Sequence, residues 1–337
     1  MFKNSFYFFI LLLLSISCSK EDVRKDEIAF YHWKAKADFT RSYSEAIKTT
    51  DANTVYMHYF DIEPLKEPSW RNDGIYPTYV LKSVDKAYQN LNIVPVVYIA
   101  NQVFKTKELD VPDLANRITK LVDQISSKHF KKKIEQVQID CDWTVTTRSH
   151  YFALLEALKC KYDIDVTIRL HQIKFQDKTG VPPVNKGTLM LYNMGDLRNN
   201  EQNSILESAI VGQYIDEGST FPLKLKIALP LFAQTVVTNN TKKIKLIKDA
   251  NRTVLEKDSH FKQINSTNFE VVKDTLYKGF YLAKGYNLKL ENVEQSEITA
   301  SYDLIKQSKL HTDGIIFYHL DDRSLLNYDL KNTIEKL

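Results

Sequence analysis

The stretch Val137-Gln138-Ile139-Asp140-Cys141-Asp142-Trp143 alternates apolar and polar residues, and Asp165-Val166-Thr167-Ile168-Arg169-Leu170-His171 repeats the pattern. Side chains on a β-strand point alternately to opposite faces. Val137, Ile139 and Cys141 therefore share one face, with Gln138, Asp140 and Asp142 on the other. In the second run Val166, Ile168 and Leu170 oppose Thr167, Arg169 and His171. Working outward, further β-rich apolar runs stand at 28–33, 54–60, 93–100, 189–194, 224–231 and 314–320. Amphipathic helical spacing is read at 76–91, 114–130, 149–162, 204–215, 298–310 and 325–337. Eight strands, each usually followed by a helix, predict an α/β chain folded as a (β/α)8 TIM barrel.

The apolar faces of strands four and five then meet the helix layer. Two acids, an arginine and a histidine are left to face the barrel interior. Buried charge is costly unless paired. The pattern therefore calls for either an internal ion-pair network or a functional site at the C-terminal strand ends, where such barrels place their chemistry. Other strands add His32 and Trp33, His58 with Asp61 and Glu63, Tyr192 or Asn193, Phe232 and Gln234, and His319 with Asp321 and Asp322. His32 and His58 read as satisfied polar residues. Trp33 and Trp143 are open between cleft platforms and packing. An Asp140–Arg169 pair is as well read as structural as catalytic.

Two spans depart from the alternation. No helix is read between Gln172 and Gly187, where Gly180-Val181-Pro182-Pro183 reads as a loop. Between Phe232 and Ile298 there is more chain than one helix needs. It is read as an α+β insertion between strand 7 and helix 7 (about 236–295), with a basic helix near 242–255 and β-like runs at 269–272, 279–283 and 286–290. Long segments at this end of a barrel commonly shape a cleft.

Composition narrows the function classes. The 337 residues hold 19 Tyr, 17 Phe and 3 Trp but only 9 Gly, well below the usual share of about 7%. Neither a dinucleotide fingerprint nor a phosphate-binding P-loop is present. A net charge of +4 gives no reason to expect a nucleic-acid partner. No zinc or calcium spacing occurs, so neither metal nor cofactor is expected. A monomer is expected.

The N-terminus reads as an address. Lys3 precedes the apolar run 6–14, too short to span a bilayer but fit for a signal peptide over 1–17. Ser15-Ile16-Ser17 leads into Cys18, the arrangement of a bacterial lipoprotein signal, with Cys18 lipidated and 18–27 a tether to a barrel over 28–337. Several acyl chains anchor far better than one. Ser19-Lys20-Glu21-Asp22 resembles the surface-export signal of Bacteroidetes lipoproteins. An outer-membrane lipoprotein exposed at the cell surface is expected, with a periplasm-facing one as the alternative. Cys141 and Cys160 remain and read as buried thiols rather than a disulfide framework. The basic run 128–133 reads as a solvated helix end.

The motif at 137–143, followed by the helix Tyr151-Phe152-Ala153-Leu154-Leu155-Glu156-Ala157-Leu158, resembles an uncharacterised family of Bacteroidetes TIM-barrel lipoproteins, itself distantly similar to glycoside hydrolases. The likeness covers most of the chain in architecture, and strand four is its distinctive part; no activity comes with it. The same strand resembles the D-x-D-x-E motif of chitinase-type barrels, which also carry an insertion after strand seven. Matching Asp140 and Asp142 to the two aspartates leaves Thr144 at the place of the catalytic glutamate and implies an inactive barrel. Sliding by two matches Gln138, Asp140 and Asp142. It implies Asp142 as general acid and Asp140 as electrostatic partner or as helper to a substrate acetamido group. The partner expected is a glycan, cleaved through Asp142 and Asp140 and held by Gln138, Trp143, Arg169, His171, Trp33, Tyr192 and His319. A glycan binder without turnover and a structural envelope lipoprotein are the alternatives.

Overall fold

The computed structural model describes residues 27–65, 74–248 and 250–337. The proposed leader, Cys18 and the tether up to residue 26 lie outside the described residues. No described helix is long and apolar enough to cross a membrane.

Eight parallel strands close into a barrel: β1 Glu27–His32, β2 Thr54–Pro64, β3 Asn92–Ile99, β4 Gln136–Asp140, β5 Asp163–Ile168, β6 Lys186–Met190, β7 Lys224–Pro230 and β8 Thr312–Tyr318. Neighbours pair in chain order, and β1 closes the ring by pairing with both β8 and β2. The alternation at 137–141 is realised: Val137, Ile139 and Cys141 are almost fully buried, as are Val166 and Ile168 on β5. At Gly314, where β8 passes β1, a Cβ would lie 2.6 Å from the Glu27 carbonyl oxygen, so no larger residue fits.

Helix Val111–His129 shows why these segments are helical. Asp110 caps it by accepting from the Asp113 N–H, Pro112 stands in its first turn, and Lys128 stands in its last turn, where positive charge suits the helix dipole. Leu114, Ile118, Val122 and Ile125 form its buried stripe. Helix Arg148–Lys159 buries Tyr151, Leu154, Leu155 and Leu158.

Several expectations are corrected. The span 76–91 is no helix: Ile75–Thr78 pairs antiparallel with the end of β2, and only Lys86–Asn90 coils, as a 3₁₀ turn. Val80, Val84 and Leu91 pack against the core without helical geometry. Between Gln172 and Gly187 the crossover is not helix-free, because Leu170–Lys174 and Gln176–Thr179 are short helices. The basic stretch 242–255 divides into strand Ile244–Ile247 and helix Arg252–Lys257. Cys160 is exposed at a helix C-cap, not buried.

Between β7 and helix Gln295–Gln307 stands a five-stranded antiparallel sheet, ordered 244–247, 234–238, 287–291, 268–271, 261–263. It has its own core of Val237, Ile247, Leu255, Phe261, Phe269, Val271, Tyr277, Leu282 and Leu288.

Candidate functional site at the barrel mouth

The lower barrel is closed by a hydrogen-bonded network. Tyr31 donates to Gln138 Oε1 (2.7 Å), Gln138 Nε2 donates to Thr188 Oγ1 (2.9 Å), Thr188 reaches Asp165 (3.1 Å), and Tyr56 donates to Asp165 (3.3 Å). Gln138 is completely buried. It belongs to this network and not to a ligand surface, which corrects its expected role. Asp165, which the sequence reading left unassigned, is the network's acid. Burial pushes its carboxyl up to about 6, against the opposing hydrogen bonds of Gln138 and Thr188.

One layer higher, Asp140 ends β4. Thr167 donates to its Oδ1 at 2.7 Å. Burial pushes its carboxyl up to about 6, while Arg169 and Thr167 pull the other way and Asp142 adds a smaller upward push. The strand stops there, so Asp142 does not continue the inward row. Its side chain is 52% exposed and is gripped by Arg169, with Nε at 2.7 Å from Oδ1 and Nη2 at 3.3 Å from Oδ2. Arg169 also donates to the Tyr192 carbonyl at 3.3 Å. The sequence reading paired Arg169 with Asp140; the hydrogen-bonded partner is Asp142.

β2 carries a bulge between His58 and Phe60. A three-residue spacing on a regular strand puts two side chains on opposite faces. The extra residue brings His58 Nε2 and Asp61 Oδ1 to 2.6 Å. His58 is thus a satisfied polar residue, as expected, whereas His32 is not: both of its ring nitrogens are buried without a hydrogen-bond partner among the described residues. Tyr59 points outward to Ser126 at 3.1 Å.

Around Asp140 stand half-buried aromatic rings. Tyr98 is the register partner of Asp140 on β3. Its hydroxyl is pushed up to about 12, by burial first and then by Asp140 and Asp142. Tyr318, last on β8, lies 5.7 Å from Trp33 and 5.7 Å from Phe232, centroid to centroid, and stacks on Tyr192 at 4.7 Å. Trp33 lies 4.8 Å from His58. Trp33 is therefore at the mouth. Tyr192 is buried behind Tyr318 and supports the rim rather than forming it.

Three further candidates sit elsewhere. Trp143 is buried outside the barrel, stacked on Tyr151 at 5.2 Å, with Nε1 donating to the Thr179 carbonyl at 3.2 Å. It is a packing residue, because the chain turns outward after Asp142. His171 is exposed on helix Leu170–Lys174, since β5 ends at Ile168 before the alternation could carry it inward. It stays within electrostatic reach of Asp142 and Arg169. His319 lies one residue beyond β8, out of phase with Tyr318, and its Nδ1 is buried without a hydrogen-bond partner.

Tyr98 and Tyr318 were missed. Tyr318 ends β8 and Tyr98 stands one residue before the end of β3, each at an inward position. In the sequence, however, each follows a run of apolar residues (Val-Val-Tyr and Ile-Phe-Tyr), so no alternation marks it. A cleft of about 1280 Å³ adjoins this rim. It runs from Phe232, Tyr318 and His319 to the inserted sheet. Among the described residues no group of His, Cys, Asp and Glu side chains could hold a metal.

No family model matches the chain, and no curated protein does. Solved structures do. The spore cortex-lytic enzyme SleL of Bacillus cereus superposes with a TM-score of 0.51 at 12% identity, over 93% of this chain and 74% of that one. The C-terminal domain of a candidate chitinase from Desulfitobacterium hafniense superposes with a TM-score of 0.53 at 12% identity, over 93% of this chain and 99% of that one. At such identity the likeness is one of fold: the chain is a barrel of the kind these two proteins share.

Proposed function

We propose that the protein is a lipid-anchored cell-surface protein whose barrel mouth binds a glycan without cleaving it. One observation carries the absence of cleavage: three carboxylates of the mouth are committed to ion-pair partners, which leaves Asp140 without a second free acid beside it. Asp142 is held by Arg169, Asp61 by His58 and Asp321 by Lys34 at 2.6 Å. With both oxygens held by the Arg169 guanidinium, Asp142 is not free to reach a leaving-group oxygen. Thr144, two residues on, is exposed and bonded to Thr146 and Thr147. It has no ionisable proton to give a leaving group. The half-buried rim of Trp33, Tyr98, Phe232 and Tyr318 supports a sugar ligand. Aromatic faces bury apolar area while a few polar groups fix orientation. The names of the two fold neighbours, a cortex-lytic enzyme and a candidate chitinase, favour the same ligand class. Anchoring rests on the Ser17-Cys18 junction and the leader before it.

A second reading, glycan hydrolysis, is favoured by Asp140 alone, whose carboxyl at about 6 is poised to hold a proton near neutrality. The test is a glycan array followed by calorimetry and a reducing-end assay on the hits. Saturable binding without reducing-end release is expected, with Trp33→Ala weakening affinity about tenfold, the usual effect of losing one good aromatic anchor. Release that disappears in Asp140→Asn would establish the hydrolase instead. No binding to any glycan would overturn both.

A further inference from the structure

The cleft between the mouth and the inserted sheet has a charge arrangement that the mouth itself lacks. Lys248, Arg252 and Lys278 all line it, all are exposed, and none forms an ion pair or hydrogen bond within the described residues. Of the four acids on the same walls, two are neutralised by lysines. Glu291 is bound to Lys289 at 2.7 Å and Asp321 to Lys34 at 2.6 Å. Asp329 caps helix Leu330–Lys336 by accepting from the Asn332 N–H, and Glu294 accepts from Asn292. Those two bonds are to neutral groups and leave both carboxylates charged, but the walls carry four cations, Lys248, Arg252, Lys278 and Arg323, so the cleft keeps an excess of positive charge although the whole chain is only +4. A concave low-dielectric wall concentrates such a field. Two lining residues also carry buried polar atoms without partners, Gln295 Nε2 and His319 Nδ1. Lys248 is close enough to His319 to help depress its basicity, after burial and Lys34, which places that ammonium near the β8 end of the cleft.

We infer that this cleft binds the anionic groups of an acidic glycan, carboxylate or sulfate, through Lys248, Arg252 and Lys278, while the aromatic rim takes the sugar rings. The inference rests on the glycan reading above and adds the chemical class of the ligand. Three solvated charge contacts of a few tenths of a kcal/mol each should together give about a tenfold preference, which is 1.4 kcal/mol.

The experiment is calorimetric titration of the purified protein with three oligosaccharides of equal length: an oligogalacturonate, a sulfated oligosaccharide and a neutral chito-oligosaccharide, each at low and high salt. At least one acidic ligand is expected to bind about tenfold more tightly than the neutral one. The stronger acidic ligand identifies carboxylate or sulfate as the source. The preference should fade at high salt, where such contacts are screened. In the Lys248→Gln/Arg252→Gln/Lys278→Gln variant the preference should fall to about one, with Tm unchanged because all three side chains are exposed. Neutral binding with no acidic preference would overturn the inference and leave the glycan reading standing. An acidic preference that persists in the triple variant would overturn the assignment to this cleft. Failure of all three ligands to bind would remove the glycan reading and the inference with it.

Discussion

Asp140 shows how a single side chain can be legible in identity and illegible in state. Its inward direction follows from the alternation of 137–141, and the structure puts it there. Its neighbours do not follow from the sequence. The pairing of Arg169 with Asp142 depends on β4 stopping at Asp140, and strand ends are not encoded by alternation. Burial holds Asp140 and Asp165 up to about 6, from 3.8. A raised acid is protonated more readily in the folded chain than in the unfolded one. Its stabilising contribution is therefore complete below about pH 4, declines as pH rises between 4 and 6, and is absent above that. Two pH units correspond to about 3 kcal/mol for each group. Asp140→Asn keeps an acceptor for Thr167 and removes the titration. Urea unfolding at pH 4 and pH 7 should show the stability loss between the two shrinking by up to about 3 kcal/mol in the variant. Equal losses in both proteins would mean that Asp140 titrates normally.

At the scale of elements, what was read correctly is what periodicity encodes. The eight barrel strands and the helices after β3 and β4 carry apolar residues at regular spacing, and a buried face demands it. The errors fall where tertiary contacts outweigh local pattern. Val80, Val84 and Leu91 have helical spacing but pack, partly buried, from non-helical backbone, because Ile75–Thr78 is captured by the end of β2. Trp143 follows the same logic. Next to two acids it resembled a cleft platform, yet the turn after β4 sends it against Tyr151 and Phe152, with its indole N–H bonded to Thr179. Trp143→Ala should therefore lower unfolding free energy by about 3–5 kcal/mol, the usual cost of emptying a buried aromatic site. Trp143→Phe should cost less and leave glycan affinity at the wild-type value, whereas Trp33→Ala should do the reverse. Loss of affinity in a folded Trp143→Phe protein would return Trp143 to the ligand surface.

At the scale of the molecule, the inserted sheet and the barrel each have a hydrophobic core, and a compact polar joint connects them. Lys289 and Glu291, neighbours on one face of strand 287–291, form a 2.7 Å ion pair with side chains 5% and 2% exposed. Lys289 also donates to the carbonyls of Asn199 (2.6 Å) and Gln202 (3.0 Å), and Glu291 accepts from Ser204 N–H (2.9 Å) and Gln234 Nε2 (2.8 Å). The joint thus binds the insertion to the long loop after β6. Glu291 is held below its ordinary value: burial pushes it up, but Lys289, Ser204 and Gln234 together outweigh it. Its contribution is present near neutrality and is lost as pH falls through the depressed value. Removing one partner of a buried pair strands the other charge and costs about 3–5 kcal/mol. That cost should fall on the joint rather than on the barrel strands, because the two side chains bond to the loop 199–204 and to Gln234 of the insertion. In Glu291→Ala, hydrogen exchange should quicken in strands 234–238 and 287–291 and in the loop 199–204, while β3, β4 and β5 keep their protection. The acidic-glycan preference assigned to the cleft should weaken in parallel, since Lys248 and Lys278 are carried by the loosened insertion and Phe232 and Tyr318 by the barrel. Uniform loss of protection across the barrel would show instead that the two cores unfold as one unit.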